Sequence, residues 1–100
     1  MKIAVVGASG FVGTALVERL IAQGRHEVRP LIHSSGNAWG LARLGLELRS
    51  VDLLSKDDVR TGLAGCTHVV NCSRGSDEVM IQGLRNLLQA CQALGVERFV

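Results

Sequence analysis

The chain has 100 residues, 47% hydrophobic and 20% charged, which suits one globular domain and is too apolar for a disordered segment. Lys plus Arg number 11 and Asp plus Glu 9, a net charge of +2 with no block of like charge, which argues against nucleic acid or an anionic membrane as the main partner. Aromatic residues are 3% and Tyr is absent, so a stacking platform for single-stranded bases is implausible.

Lys2 to Val6 is a short apolar run bounded by Gly7, the pattern of a strand buried on both faces. From Phe11 to Gln23 the period becomes helical, with Val12, Leu16, Val17, Leu20 and Ile21 on one stripe and Gly24 as the stop. Glu27 to Ile32 reads as a second strand, in which Pro30 predicts irregular pairing or a bulge. Ser34 to Gly45 reads as a loop entering a short helix through Ala38, Leu41, Ala42 and Leu44, and Leu46 to Leu53 as a third strand. Ser55 is a helix N-cap, with Asp57 and Asp58 suited to the positive end of the dipole, and that helix runs through Val59 and Leu63 to Gly65. Thr67 to Cys72 is the fourth strand. The longest helix spans Asp77 to Leu94, with a predicted apolar stripe of Met80, Leu84, Leu87, Leu88, Cys91 and Leu94, and Val96 to Val100 opens a fifth strand.

Strands alternating with helices imply an α/β fold, a doubly wound parallel sheet of Rossmann-like type, with the expected spatial order 3-2-1-4-5. No linker, repeat or low-complexity tract interrupts it. Because the sequence stops within an apolar strand, residues 1–100 are expected to be the N-terminal part of a larger fold. The three cysteines, Cys66, Cys72 and Cys91, form no C-x-x-C pair and read as reduced, buried thiols. His26, His33 and His68 lack metal-ligand spacing, so no metal site is expected. His26 and His68 read as structural. Gly7, Gly10 and Gly13 break the apolar N-terminus, and no run of about 18 apolar residues occurs; the expected location is cytoplasmic.

The stretch Gly7-Ala8-Ser9-Gly10-Phe11-Val12-Gly13 joins the first strand to the first helix. Its spacing is G-x-x-G-x-x-G. Gly7 permits the tight turn, Gly10 removes a Cβ where backbone approaches a pyrophosphate, and Gly13 lets helix and sheet pack closely. The helix N-terminus presents free N–H groups to the anion, and the Ser9 hydroxyl adds a donor.

With these residues the chain resembles the extended and atypical short-chain dehydrogenases, a family that includes NAD-dependent sugar epimerases and dehydratases and the NmrA-like proteins. The likeness rests on Lys2 to Gly13, on Val51-Asp52-Leu53, on Val69-Val70-Asn71-Cys72-Ser73, and on Gly83 to Leu88 with Gly95 to Val100. It implies NAD or NADP as cofactor. It also implies that Asp52 receives the adenine amino group, that Leu53 lies against the adenine, and that Asn71, Cys72 and Ser73 pass behind the adenosine ribose. Met80 and Leu84 depart from the Asn and Thr common in the family, and core packing is the expected reason. Cys72 is not expected to be a nucleophile, because no base is identifiable beside it.

The resemblance implies hydride chemistry on a sugar nucleotide or a small carbonyl or alcohol, with a small-molecule substrate and a homodimer as partners. The family's Tyr-x-x-x-Lys pair cannot lie here, since there is no Tyr and the lysines are Lys2 and Lys56. Residues 1–100 therefore hold no catalytic residue. The alternative is a non-catalytic, dinucleotide-sensing regulator of the NmrA-like sort. No carboxylate occurs between Glu27 and Glu47, so the acid that would accept both ribose hydroxyls of NAD and repel a 2′-phosphate is missing. NADP is favoured, with His33, Ser34, Ser35, the amides of Ser34 to Gly36, and Arg43 as candidate phosphate contacts.

Overall fold

The structure is a computed structural model that describes residues 1–33 and 39–100. Its elements are β1 (Lys2–Val6), α1 (Phe11–Gln23), β2 (Glu27–Ile32), α2 (Trp39–Ala42), β3 (Arg49–Ser50), α3 (Lys56–Leu63), β4 (His68–Asn71), a π-helical segment (Val79–Gly83) running into α4 (Leu84–Leu94), and β5 (Arg98–Phe99). The strands form one sheet in the order β3-β2-β1-β4-β5, and every pairing is parallel. The chain thus has the expected doubly wound order, with β1 and β4 meeting at the switch point.

Period-two alternation divides the core between the two faces of the sheet. Ile3 and Val5 point toward α1, with Val17, Ile32 and Leu41. Ala4 and Val6 point the other way, with Leu31, Val69, Val59, Leu63, Leu87 and Cys91. Leu31, Leu63 and Leu87 are fully buried, and each contributes about 1.5–3 kcal/mol by leaving water.

Pro30 does not bulge the sheet. It pairs in register with Val5 inside a continuous β1–β2 ladder. The Leu31 carbonyl faces β1 and the Ile32 carbonyl faces β3, where it accepts from the Val51 N–H at 2.8 Å. By alternation, the nitrogen of Pro30 faces β3. The missing donor ends the β2–β3 ladder at Leu31↔Arg49 and Ile32↔Ser50. The third strand is therefore two residues long, where the pattern predicted Leu46 to Leu53.

The predicted stripe on the last helix is also corrected. Gly83, Asn86, Leu87, Ala90 and Cys91 face the core. Met80, Leu84 and Leu88 are 48%, 38% and 46% exposed, so core packing does not account for Met80 and Leu84. The wider π-helical turn shifts the phase of side chains before it against those after it. Gly83 sits where a Cβ would lie 3.1 Å from the Leu53 Cβ, so the helix settles on its glycine side. Among the described residues, no helix is long and apolar enough to cross a membrane.

Candidate functional site

The C-terminal ends of β1, β2 and β4 open into a cleft of about 790 Å³, a volume typical of small-molecule and cofactor sites. One wall is the turn from β1 to α1. The Leu31 carbonyl accepts from the N–H groups of Gly7 (3.0 Å) and Ala8 (3.1 Å), and the Gly7 carbonyl accepts from the Gly10 N–H (3.2 Å). The Thr14 hydroxyl donates to the Ala8 carbonyl at 2.8 Å. These bonds fix the turn from β2 and from α1 together.

The glycines of this turn have different tasks. Gly7 has φ +75°, and a Cβ there would lie 2.6 Å from the Ser73 Cα; the turn presses directly on the end of β4. A Cβ on Gly13 would lie 2.3 Å from the Gly7 carbonyl oxygen, so Gly13 supports the turn from beneath and does not line the cleft. At Gly10 a Cβ would meet protein only at an ordinary 3.5 Å. The fold itself tolerates a side chain there.

Gly10 is the N-cap of α1, with no side-chain cap and no acid in the first turn. The first N–H groups of the helix have no intrahelical partner. By contrast, the Ser55 hydroxyl accepts from the Asp58 N–H at 3.2 Å at the start of α3, and Asp57 and Asp58 occupy that first turn. The positive end of α1 is thus left without a protein anion and opens, through Gly10, Phe11 and Val12, onto the cleft. Phe11 and Val12 are exposed at its rim, which corrects the placement of Val12 on the buried stripe.

The other walls bring together most of the predicted residues. Ser9, His33, Asp52, Leu53, Asn71, Cys72 and Ser73 line the cleft with Gly7, Gly10, Phe11 and Val12. Ser34, with Ser35 and Gly36, lies outside the described residues. His33 is exposed, and its carbonyl accepts from the Ser50 hydroxyl at 3.3 Å. The Asn71 side-chain oxygen accepts from both the Ser73 N–H (3.1 Å) and the Ser73 hydroxyl (2.5 Å), which holds the end of β4 in a tight turn. Burial pushes the Cys72 thiol up from its ordinary value, away from thiolate character. Arg43 is paired with Glu18 of α1.

Sequence reasoning missed Leu54, Arg74, Gly75, Ser76 and Val79 among the lining residues. Arg74 was detectable in principle, as a cation one residue beyond the predicted Ser73. Val79 reaches the cleft through the π-helical segment, which leaves no mark in the apolar periodicity. His26 and His68 sit at the opposite ends of their strands. The Nδ1 of His68 lies 2.8 Å from the Thr67 hydroxyl and its Nε2 3.9 Å from Glu97.

The sequence pattern of the family described as NAD(P)H-binding matches residues 7–100. Photosystem II assembly factor Ycf39 of Guillardia theta is 31% identical over 107 residues, covering 100% of this chain and 34% of that protein. The 2-alkyl-3-oxoalkanoate reductase of Shewanella oneidensis is 29% identical over 105 residues, covering 96% of this chain and 26% of its own. The structure of the UDP-glucose 4-epimerase of Thermus thermophilus in complex with NAD superposes with a TM-score of 0.77 at 29% identity, over 99% of this chain and 36% of that one. The chain spans only 12% to 34% of the length of such curated relatives.

Proposed function

The chain belongs to the NAD(P)H-binding family, and from that premise we propose that the turn from Gly7 to Val12 holds the dinucleotide's pyrophosphate while the Asp52–Leu53 edge of the cleft receives its adenine. The observation that carries this is the uncapped, acid-free N-terminus of α1 opening through Gly10 into the cleft. An anion seated there accepts the free N–H groups and complements the dipole. Val6 and Leu31 supply apolar lining, and the cleft reaches from α1 to His33 and Asp52, on the β2–β3 side expected for adenosine.

The bound nicotinamide supplies hydride transfer; the residues of this chain bind and orient. Similarity to a reductase and to an epimerase supports an enzyme acting on a carbonyl, an alcohol or a sugar nucleotide. Its acid–base pair is to be sought after Val100, because these 100 residues contain no Tyr. Similarity to an assembly factor favours, as a second reading, a dinucleotide-dependent regulator without chemistry. A Tyr-x-x-x-Lys pair in the sequence that follows separates the two.

NADP is the cofactor we favour. No carboxylate stands between Glu27 and Glu47, and exposed His33 lines the cleft at the end of β2. The outward row of Met80, Leu84 and Leu88 supports a homodimer through α4. Calorimetry of NADPH with the full-length protein and its Gly10→Val variant tests the reading: binding that disappears in the variant supports it, and unchanged affinity overturns it.

A further inference from the structure

Among the described residues, Asn86 is the buried polar side chain of the core, 2% exposed. It sits on the inward face of α4 beside Leu87 and Ala90, where leucine has the higher helix propensity. An amide in such a place is costly unless both its ends are bonded. Both are. Its Nδ2 donates to the Leu53 carbonyl at 2.7 Å, and its Oδ1 accepts from the Gln82 Nε2 at 3.0 Å.

The bond to Leu53 joins α4 to the loop after β3, beside the packing of the Leu53 side chain with Leu87 and Ala90. That loop has left the sheet, and hydrogen bonds hold several of its backbone groups. The Asp52 N–H donates to an Asp58 carboxylate oxygen at 2.5 Å, and the Leu54 N–H donates to Asp52 Oδ1 at 3.0 Å. The Ser55 N–H donates to the Asp52 carbonyl at 3.0 Å. The Asn86 amide holds the carbonyl of Leu53. With Asp52 Oδ1 engaged in the turn, the other carboxylate oxygen is left for a ligand at the cleft edge.

We propose that Asn86, itself oriented by Gln82 from the π-helical segment, is the positioning residue that fixes the Asp52–Leu53 ledge and thereby sets selectivity for a 6-amino purine over a 6-oxo purine in the bound dinucleotide. The inference rests on the dinucleotide reading above. A fixed carboxylate accepts from a 6-amino group and repels a 6-oxo group. A ledge held less firmly weakens both the attraction and the repulsion, so it binds the two bases more nearly alike. General destabilisation does not do this; it weakens binding of both dinucleotides equally.

The experiment compares NADPH and NADH with reduced nicotinamide hypoxanthine dinucleotide, in which the adenine amino group is replaced by oxygen. Dissociation constants are measured by fluorescence for the full-length protein, for Asn86→Leu, for Gln82→Met, and for Val17→Ala as a core variant on the other face of the sheet. The unmutated protein is expected to prefer adenine by about tenfold or more, the range of a hydrogen bond to a charged group. Asn86→Leu is expected to bring that ratio to within about twofold. Gln82→Met lowers it in part, and Val17→Ala leaves it unchanged. A folded Asn86→Leu protein with the unmutated ratio overturns the inference. If that variant does not fold, Gln82→Met decides: an unaltered ratio overturns it. An unmutated protein that binds both dinucleotides equally also overturns it, with the dinucleotide reading intact. One that binds none of them overturns the reading itself and the inference with it.

Discussion

Alanine at Gly13 and alanine at Gly10 are predicted to fail in opposite ways, although both glycines belong to one seven-residue motif. The new Cβ at Gly13 would lie 2.3 Å from the Gly7 carbonyl oxygen and 2.8 Å from the Ala8 Cα, while real Cβ atoms stay beyond 3.0 Å. Both neighbours are backbone, held by the bonds to Leu31, so α1 must move outward by most of an ångström. Overpacking of this kind costs about 1–3 kcal/mol; the upper end applies because no flexible side chain can yield. Alanine regains about 1 kcal/mol of helix propensity, leaving about 2 kcal/mol of net destabilisation. In a fold of about 150–250 residues, that lowers Tm by roughly 4–8 °C. At Gly10 the new Cβ has only a 3.5 Å contact, and replacing glycine at an N-cap costs a few tenths to ~1 kcal/mol. Thermal unfolding followed by circular dichroism, paired with NADPH titration, reads both effects. Gly13→Ala should lose stability. Gly10→Ala should keep Tm within about 3 °C and lose at least about tenfold in affinity, since its Cβ enters the cradle. A Gly13→Ala protein that melts with the unmutated one would refute the packing argument, and a Gly10→Ala protein that binds normally would refute the cradle.

His33→Asp should reverse the NADP preference by setting a carboxylate against the 2′-phosphate; paired dissociation constants for NADPH and NADH check this, and tighter NADH binding by the unmutated protein contradicts it. Arg74→Gln should weaken NADPH binding by about fivefold at low salt, with the difference vanishing near 1 M salt as the charge is screened; a salt-independent loss would mean that Arg74 acts by packing. Burial, the first cause in each case, raises the thiols of Cys66 and Cys91, with Arg29 acting against it at Cys66. The folded state therefore keeps these protons longer than the unfolded chain, so stability is full below the ordinary thiol value of about 8.5 and falls as pH rises through the folded values. Urea unfolding from pH 7 to 10 should show that decline, less steep in the Cys66→Ala, Cys91→Ala double variant.

The sheet order and the glycine turn were readable because each depends on a local constraint that few residues meet. Gly7, Gly10 and Gly13 fall where a strand pattern becomes a helix pattern, and Val51-Asp52-Leu53 marks the edge of the same cleft. The parts that were misread depend on contacts distant in sequence. Pro30 was visible as a defect, but only the register shows that its missing donor faces β3 and shortens that strand. The π-helical segment was invisible, because Met80, Leu84 and Leu88 continue the apolar spacing as well as the buried residues do. Asn86 is one polar residue in a long helix, and its partner Leu53 stands 33 residues away.

The central claim, that a nicotinamide dinucleotide sits on the N-terminus of α1, is tested most directly by titrating the ¹⁵N-labelled full-length protein with NADPH and following each backbone amide. The account predicts saturable shifts that are largest at Gly7 to Gly13, with a second group at Asp52 to Leu54 and a third at Cys72 to Ser76. The absence of saturable shifts, or shifts centred on the outward row of α4 or at His26 and His68 at the far end of the sheet, would contradict it.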